Sequence, residues 1–205
     1  MVILLNKKFF PGQMIKLFIF QFVLFAFNSG YSQSEQGTDE FSNLALALQQ
    51  PENVKILNLS KKKLKEFPFE IFQFKNLEKL NLSKNKITSV PKEIGQLVFL
   101  EELDLSNNKI ELLPMEIGKL INLKKLILGK NDLFSLPTSF SDFTKLEYLD
   151  LWSNNLSELP ESMSSLSNLK ILDMRLIQMN KSQQEKIQHL LPKTIIYFSQ
   201  SCNCN

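Results

Sequence analysis

The chain has 205 residues, a formal net charge of +3 and two cysteines, both within its last four residues. This length allows one domain with a sizeable core or an elongated stack of repeats. Lys7, Lys8 and Lys16 lie in the first 32 residues, which contain no acid, and the rest of the chain has 21 basic and 21 acidic residues. Overall charge therefore gives no argument for a nucleic-acid partner or for attachment to anionic lipid.

The first predicted element is a secretory signal peptide over residues 1–32. A lysine precedes the apolar run LFIFQFVLFAF, which begins at Leu17, and the small and polar residues NSGYSQ follow it. A positive segment, an apolar run of about 7 to 15 residues and a small-residue cleavage site are typical of such a peptide in this order. A transmembrane anchor is the alternative, but the run is well short of the roughly 20 residues that a spanning helix needs. We expect cleavage after Ser32 and export of the mature chain, with Met14 as an alternative start.

Residues 33–53 are predicted to form an N-terminal capping helix. The polar triplet Thr38-Asp39-Glu40 resembles a helix start, and apolar residues then recur at helical spacing until Pro51. These apolar residues are Phe41, Leu44, Ala45 and Leu48.

An internal repeat of 23 residues then runs through residues 54–168 as five blocks without a gap. Two of them are LEKLNLSKNKITSVPKEIGQLVF, from Leu77, and LEELDLSNNKIELLPMEIGKLIN, from Leu100. A sixth, degenerate block begins at Leu169 with LKILDMRLIQM. Self-similarity at a fixed period of this length is typical of a solenoid, in which each repeat packs only on its neighbours.

The first half of each block has the two-residue alternation of a β-strand. In LEKLNL, Leu77, Leu80 and Leu82 are predicted to point inward, whereas Lys79 and Asn81 point outward. The strands of successive blocks are therefore expected to lie side by side in one parallel sheet.

A single asparagine recurs at the turn that follows each strand of the second to fifth blocks. A buried amide at a turn can bond backbone groups of its own and the neighbouring coil, so we interpret this ladder as structural. The outer blocks carry Lys62 and Ile177 at the same position. The ladder consists of Asn85, Asn108, Asn131 and Asn154.

The second half of each block contains a proline that suits an extended or short 3₁₀ return segment, because proline fixes its own dihedral and lacks a donor. Even a thin return is wider than the spacing of about 4.8 Å between strands. The stack must therefore curve, with its strands on the inner, concave side. The prolines are Pro68, Pro91, Pro114, Pro137 and Pro160.

The returns VPKEIGQL and LPMEIGKL, together with the strand phrase LxxLxLxxNxL, resemble the 23-residue class of leucine-rich-repeat proteins. The entry segment LALALQQPENVKILNLS is similar to that of exported bacterial members of this family, known from spirochaetes. The resemblance implies an α/β solenoid: a right-handed, curved horseshoe with a parallel concave β-sheet, 3₁₀ or extended convex returns and helical caps at both ends. It also implies a binding protein that contacts host cells or extracellular matrix.

Residues 169–198 are predicted to combine the degenerate sixth repeat with a C-terminal cap. Ser182-Gln183-Gln184-Glu185 is a capping-box pattern that opens a helix through Leu191, and residues 194–198 read as a final strand. The tail, residues 199–205, holds Cys202 and Cys204. For these two cysteines the sequence leaves three alternatives: a frayed tail, a dimer linked by a disulfide, and a dimer linked by a metal ion.

The outward strand positions change character in the fourth and fifth blocks. Ile127 replaces Asn or Asp, Tyr148 replaces Lys or Glu, and Trp152 replaces the serine of the second and third blocks. Gly129 precedes Trp152 by one block and is expected to leave room for its ring. Aromatic and Arg anchors with a polar surround are typical of binding hot spots. The predicted partner-binding set is Lys125, Ile127, Gly129, Tyr148, Asp150, Trp152 and Arg175, with Asp104 further along the Asp150 column.

Two further features could suggest chemistry. Asp150 and Asp173 are expected about 5 Å apart, near the spacing of a retaining glycosidase pair or a partial calcium site. A flat strand surface offers no closed pocket, so we interpret them as members of an exposed Asp/Asn ladder. The only histidine, His189, is expected on the C-terminal helix without a nucleophile beside it.

We therefore expect a non-enzymatic, exported binding module that engages a protein or glycoconjugate through its concave face, with no cofactor and no resident metal. An intracellular signalling scaffold is the main alternative and requires residues 1–32 to be retained. A carbohydrate-active enzyme that uses Asp150 and Asp173 is the remote one.

Overall fold

The computed structural model describes residues 40–199. The predicted signal peptide, residues 1–32, and the two cysteines, Cys202 and Cys204, lie outside the described residues. The regular elements of the described range are eight strands, two α-helices and six 3₁₀ segments.

Six of the eight strands begin at intervals of 23 residues, and the first and last strands depart from this spacing. They are β1 (Glu40–Phe41), β2 (Ile56–Asn58), β3 (Lys79–Asn81), β4 (Glu102–Asp104), β5 (Lys125–Ile127), β6 (Tyr148–Asp150), β7 (Ile171–Met174) and β8 (Ile195–Phe198). The helices are α1 (Leu44–Ala47) and α2 (Lys181–Leu190). The 3₁₀ segments are Pro51–Asn53, Phe69–Gln73, Lys92–Gln96, Met115–Lys119, Thr138–Asp142 and Glu161–Ser165.

All eight strands form one parallel sheet in chain order, from β1 to β8. Between β3 and β4, Lys79 lies opposite Glu102 and Leu80 opposite Leu103, an offset of one repeat. The offset increases by one residue at the last pair, where Ile171 lies opposite Ile195. The predicted curved solenoid with 3₁₀ returns and a parallel sheet is thus confirmed.

The core is a continuous column of leucines between the sheet and the returns. Leu80, Leu103 and Leu126 occupy the central position of three neighbouring strands and are at most 2% exposed. The inward-pointing residues predicted from the strand alternation are therefore the ones that water does not reach. The outward residues of the same strands are free to form a surface.

The asparagine ladder joins each repeat to the one before it. Asn108 Oδ1 accepts a hydrogen bond from the Ile87 amide at 3.0 Å. Its Nδ2 donates to the carbonyl oxygens of Leu82, at 3.0 Å, and Leu105, at 2.9 Å. Asn85, Asn131 and Asn154 make the equivalent bonds in their own repeats.

The N-terminal cap differs from the helix expected after Thr38-Asp39-Glu40. Glu40 and Phe41 pair with β2 as strand β1, and the helix begins only at Leu44. Asn43 caps it, because its extended backbone aims the side chain at the Ala45 amide, 2.9 Å away. The prediction of a helix start at residues 38–40 was wrong because Phe41 contributes instead to the sheet and packs against the core.

The C-terminal helix also begins earlier than the predicted box of Ser182 and Glu185. Asn180 is the N-cap and accepts a hydrogen bond from the Gln183 amide at 2.9 Å. The Gln183 side chain in turn accepts one from the Asn180 amide at 2.9 Å, which completes a capping box. An asparagine and a glutamine thus perform the reciprocal role that we had assigned to serine and glutamate two residues later.

Candidate functional site

Three columns of outward residues run along the concave face. The first holds the opening residue of each strand, the second holds the third residue, and the third holds the residue two positions further on. From β3 onward the first column reads Lys79, Glu102, Lys125, Tyr148, Ile171 and Ile195. The second reads Asn81, Asp104, Ile127, Asp150, Asp173 and Tyr197. The third reads Ser83, Ser106, Gly129, Trp152 and Arg175.

The first repeats present charges that neutralise each other. Lys79 Nζ lies 2.7 Å from a carboxylate oxygen of Glu102 on the next strand. This hydrogen bond and the charge of Glu102 raise the pKa of Lys79. Lys79 and Glu102 thus cancel each other's charge, and this part of the face presents no aromatic ring to a partner.

The later repeats present three aromatic rings, each with a cation over it. Lys130 Nζ lies 4.6 Å from the centre of the Trp152 ring, and Lys125 Nζ lies 5.6 Å from that of Tyr148. The Arg175 guanidinium lies 5.8 Å from the centre of the Tyr197 ring. These six residues form what we call the aromatic patch. Cation–π contacts of about 0.5 to 1 kcal/mol at exposed sites hold the rings and cations in one arrangement.

The acidic residues of the second column have a backbone role. Asp150 Oδ1 accepts a hydrogen bond from the Trp152 amide at 2.8 Å, and Asp104 Oδ1 accepts one from the Ser106 amide at 2.9 Å. Asn81 makes the same bond with the Ser83 amide. This position therefore fixes the backbone as the chain leaves the strand, and Asp150 orients the residue that carries the indole.

The Asp150 carboxylate occupies the space beside Gly129. A methyl group added at Gly129 would meet the two carboxylate oxygens of Asp150 at 3.0 and 3.1 Å. The nearest neighbour of Gly129 is thus the Asp150 carboxylate, and room for the Trp152 ring stays a prediction.

Asp173 is committed to an ion pair with Arg175. Its carboxylate accepts two parallel bonds from the guanidinium, 3.0 Å from Nε and 2.6 Å from Nη2. This contact raises the pKa of Arg175, and the Asp173 carboxylate is buried beneath it. Burial also raises the pKa of Asp150, and the charges of Asp173 and Asp104 add to that effect. Asp173 is thus paired with Arg175, whereas Asp150 is bonded to the backbone amide of Trp152.

The repeat pattern has a counterpart among known families. A family model described as a leucine-rich repeat region matches residues 38–195. The chain belongs to the leucine-rich-repeat family. No curated protein matches the sequence of this leucine-rich-repeat chain.

Two solved structures are similar to it. A leucine-rich-repeat protein of Leptospira interrogans is 37% identical with a TM-score of 0.62, over 74% of this chain and 44% of that one. An internalin from Listeria monocytogenes shares the fold with a TM-score of 0.61 at 21% identity, over 79% of this chain and 52% of that one. The leucine-rich-repeat chain thus spans about half the length of these structures. The fold is typical of protein-interaction modules, and no catalytic family is indicated.

The sequence analysis missed part of the aromatic patch of this leucine-rich-repeat protein. Tyr197 and Ile195 on β8 are 46% and 59% exposed and extend the columns of Asp173 and Ile171. The alternation in IIYF was the available signal, but the 23-residue frame places Thr194, not Ile195, beside Ile171. Lys130, whose ammonium group lies over the Trp152 ring, was not in the predicted partner-binding set.

Other features of the described range do not form a metal site or a membrane span. A cleft of about 490 Å³ between α2 and the last 3₁₀ segment is lined in part by His189, whose Nδ1 lies 2.7 Å from the Glu185 carbonyl oxygen. No group of His, Cys, Asp and Glu within residues 40–199 could hold a metal ion. Neither α1 nor α2 has the length and apolar character that a membrane span requires.

Proposed function

We propose that this leucine-rich-repeat protein is an exported, non-enzymatic binding module that holds a protein partner on its concave face. The aromatic patch is the proposed anchor. Membership of a family of interaction modules supports the binding role. The signal-peptide pattern in residues 1–32 supports export.

The observation that carries the binding role is the pairing of each ring in the patch with a cation. Trp, Tyr and Arg are the residues most enriched among binding hot spots. Trp and Tyr also bury a large area at a low cost in conformational entropy. In the patch, Trp152, Tyr148 and Tyr197 stand beside Lys130, Lys125 and Arg175. The rings are thus pre-positioned, and a partner need not pay to order them.

The apolar residues beside the patch favour a protein over a small molecule or a free sugar. Ile171 and Ile195 continue the column of Tyr148, so a contiguous apolar strip crosses three strands. Exposed strips of this kind usually mark protein contacts. A glycoconjugate with an apolar aglycone would use the same strip, and its carbohydrate would stack on the rings.

Replacing Trp152 by Ser should weaken binding of the partner about 30-fold, the equivalent of about 2 kcal/mol for a hot-spot residue. Serine is the residue of the equivalent position in the second and third repeats, where Ser106 Oγ lies 2.7 Å from Asp104. The variant can therefore keep the fold and bond Asp150 in the same way. The measurement is capture from extracellular-matrix and serum extracts on immobilised protein, followed by the dissociation constant of each captured partner.

The matched control is Phe134→Ser, which removes another half-exposed aromatic ring outside the concave columns. We expect its affinity to equal that of the unaltered protein. Equal capture by all three proteins would refute the anchor, and an equal loss in both variants would show a general effect of lost apolar surface.

Export predicts that the mature protein lacks residues 1–32. Expression of the tagged chain, followed by cell fractionation and N-terminal sequencing, should find the protein outside the cytoplasm and beginning at residue 33. A variant with Leu17 to Phe20 replaced by Asn should remain inside, because the apolar run would be too short. Recovery of unprocessed protein only from the cytoplasm would contradict export.

A further inference from the structure

A second surface, separate from the aromatic patch, lies where the strands of the first three repeats end. Six exposed lysines project there from the turns SKKKL, SKNKI and SNNKI. We call this surface the lysine rim, and it consists of Lys61, Lys62, Lys63, Lys84, Lys86 and Lys109. The equivalent position of the fourth repeat holds Lys130, which lies over Trp152 and belongs to the patch.

The backbone of the rim is fixed by hydrogen bonds between repeats. The Lys61 amide donates to the Ser83 carbonyl at 3.0 Å, and the Lys84 amide donates to the Ser106 carbonyl at 2.9 Å. One turn further on, the Lys86 amide donates to the Leu64 carbonyl at 2.7 Å. Lys61 and Lys84 therefore stand in one row along the solenoid axis and Lys63, Lys86 and Lys109 in another, with neighbours about 4.8 Å apart. Lys62 lies between the two rows.

Three rim lysines occupy backbone conformations that disfavour them. Lys61, Lys63 and Lys84 have φ values of 59°, 59° and 57°. The left-handed region is costly for residues other than Gly and Asn, and the third repeat indeed places Asn107 there, with φ 54°. The turn position of Lys61 has a positive φ in all six repeats, including Ser153 and Leu176 outside the rim, so this conformation belongs to the repeat and is not specific to the rim.

The rim charges are not neutralised from within the described range. The ion pairs of the sheet lie elsewhere, such as Lys55 with Glu78 and Lys124 with Glu101 at the strand entrances. None of the six rim lysines forms an ion pair with another residue of the range 40–199. Backbone positions one repeat apart are closer than the screening length of about 8 Å at physiological salt, so their like charges repel one another. An anionic ligand would relieve this repulsion.

We propose that the lysine rim binds a linear polyanion, a sulfated polysaccharide, laid along the solenoid axis across the first three repeats. Rows of strongly hydrated ammonium groups suit a chain of closely spaced sulfates. None of the exposed large apolar residues falls in segments 60–65, 83–88 or 106–110. The rim therefore lacks the stacking rings that single-stranded nucleic acid needs and the apolar wedge that inserts into a membrane. This inference does not rest on the proposed protein partner.

The test measures binding of heparin to the purified protein by titration calorimetry at about 0.15 M salt, where exposed charges beyond about 8 Å are screened. The variant carries Lys62→Gln, Lys86→Gln and Lys109→Gln, none of which has a positive φ. We expect its dissociation constant to rise about tenfold. Chemically desulfated heparin should not bind, and doubling the salt concentration should weaken binding of heparin to the unaltered protein.

A second triple variant controls for net charge. Lys92→Gln, Lys119→Gln and Lys193→Gln also remove three positive charges from exposed positions, but away from the rim. It should bind heparin as the unaltered protein does. Equal weakening in the two triple variants, or equal binding of desulfated heparin, would overturn the proposal. So would tighter binding to a single-stranded oligonucleotide or to vesicles containing phosphatidylserine than to heparin.

The two proposed surfaces can fail independently. The Trp152→Ser variant should keep its heparin affinity, because Trp152 lies outside the rim. The rim variant should keep its affinity for the protein partner. Loss of both activities in either variant would show that the two ligands share one site and would refute a separate rim site.

Discussion

Replacing Asn108 by Ala should lower the free energy of unfolding by about 1 to 3 kcal/mol, because the buried Ile87 amide loses its acceptor. The carbonyls of Leu82 and Leu105 lose one donor each but keep the side-chain amides of Asn85 and Asn131. Asn108 is 8% exposed, so water cannot replace the lost amide without opening the turn. Urea unfolding followed by circular dichroism measures the change.

The control for Asn108 is Asn76→Ala. The Asn76 side chain also donates to a carbonyl of the preceding coil, that of Glu52 at 2.9 Å, but it does so at the surface. Water can satisfy that carbonyl, so we expect a loss below about 1 kcal/mol. Equal losses of stability in the two variants would show that a buried asparagine of the ladder stabilises the fold no more than an exposed one.

Replacing Leu103 by Ala should cost about 2 to 5 kcal/mol, the range for a buried leucine whose cavity cannot collapse. Leu103 is 1% exposed and lies between Leu80 and Leu126 in register, so the cavity would open between three neighbouring strands. In a solenoid each repeat packs only on its neighbours, so damage to the central repeat weakens both of its interfaces. Hydrogen exchange should show lost protection in β3, β4 and β5 before the outer strands.

Leu112 provides the matched control for Leu103. It is in the same repeat and 51% exposed, so Leu112→Ala removes the same atoms without leaving a cavity. We expect a change below about 0.5 kcal/mol. Full stability of Leu103→Ala would contradict the assignment of inward and outward strand positions.

The repeated part of the fold could be predicted because each feature was specified several times. Leucines at three fixed positions, an asparagine and a proline recur in successive blocks, and they agree on one register. The ends had no such redundancy. Polar residues near α1 and α2 offered more than one capping residue, and only the packing of Phe41 in the sheet and the side-chain geometry of Asn180 decided between them.

Residues of the candidate site could be predicted only where they belong to an intact 23-residue repeat. Tyr148 and Trp152 could be placed on the outward columns because their repeat is intact. Tyr197 could not, since the last strand is offset by one residue relative to the 23-residue period. The contact between Gly129 and Asp150 depends on the rotation of the Asp150 side chain, which the amino-acid sequence does not specify.

The asparagine ladder does not reach the junction between the last two repeats. Each asparagine ties its own repeat to the one before, as Asn154 does by bonding the Leu133 amide and the Leu128 carbonyl. At the next junction the equivalent residue is Ile177, whose side chain cannot make these bonds. Among the six described repeats, the junction between the fifth and sixth is therefore the one that lacks the asparagine bonds. Trp152 and Arg175, both in the aromatic patch, lie on its two sides, so backbone pairing of β6 with β7 holds them in register.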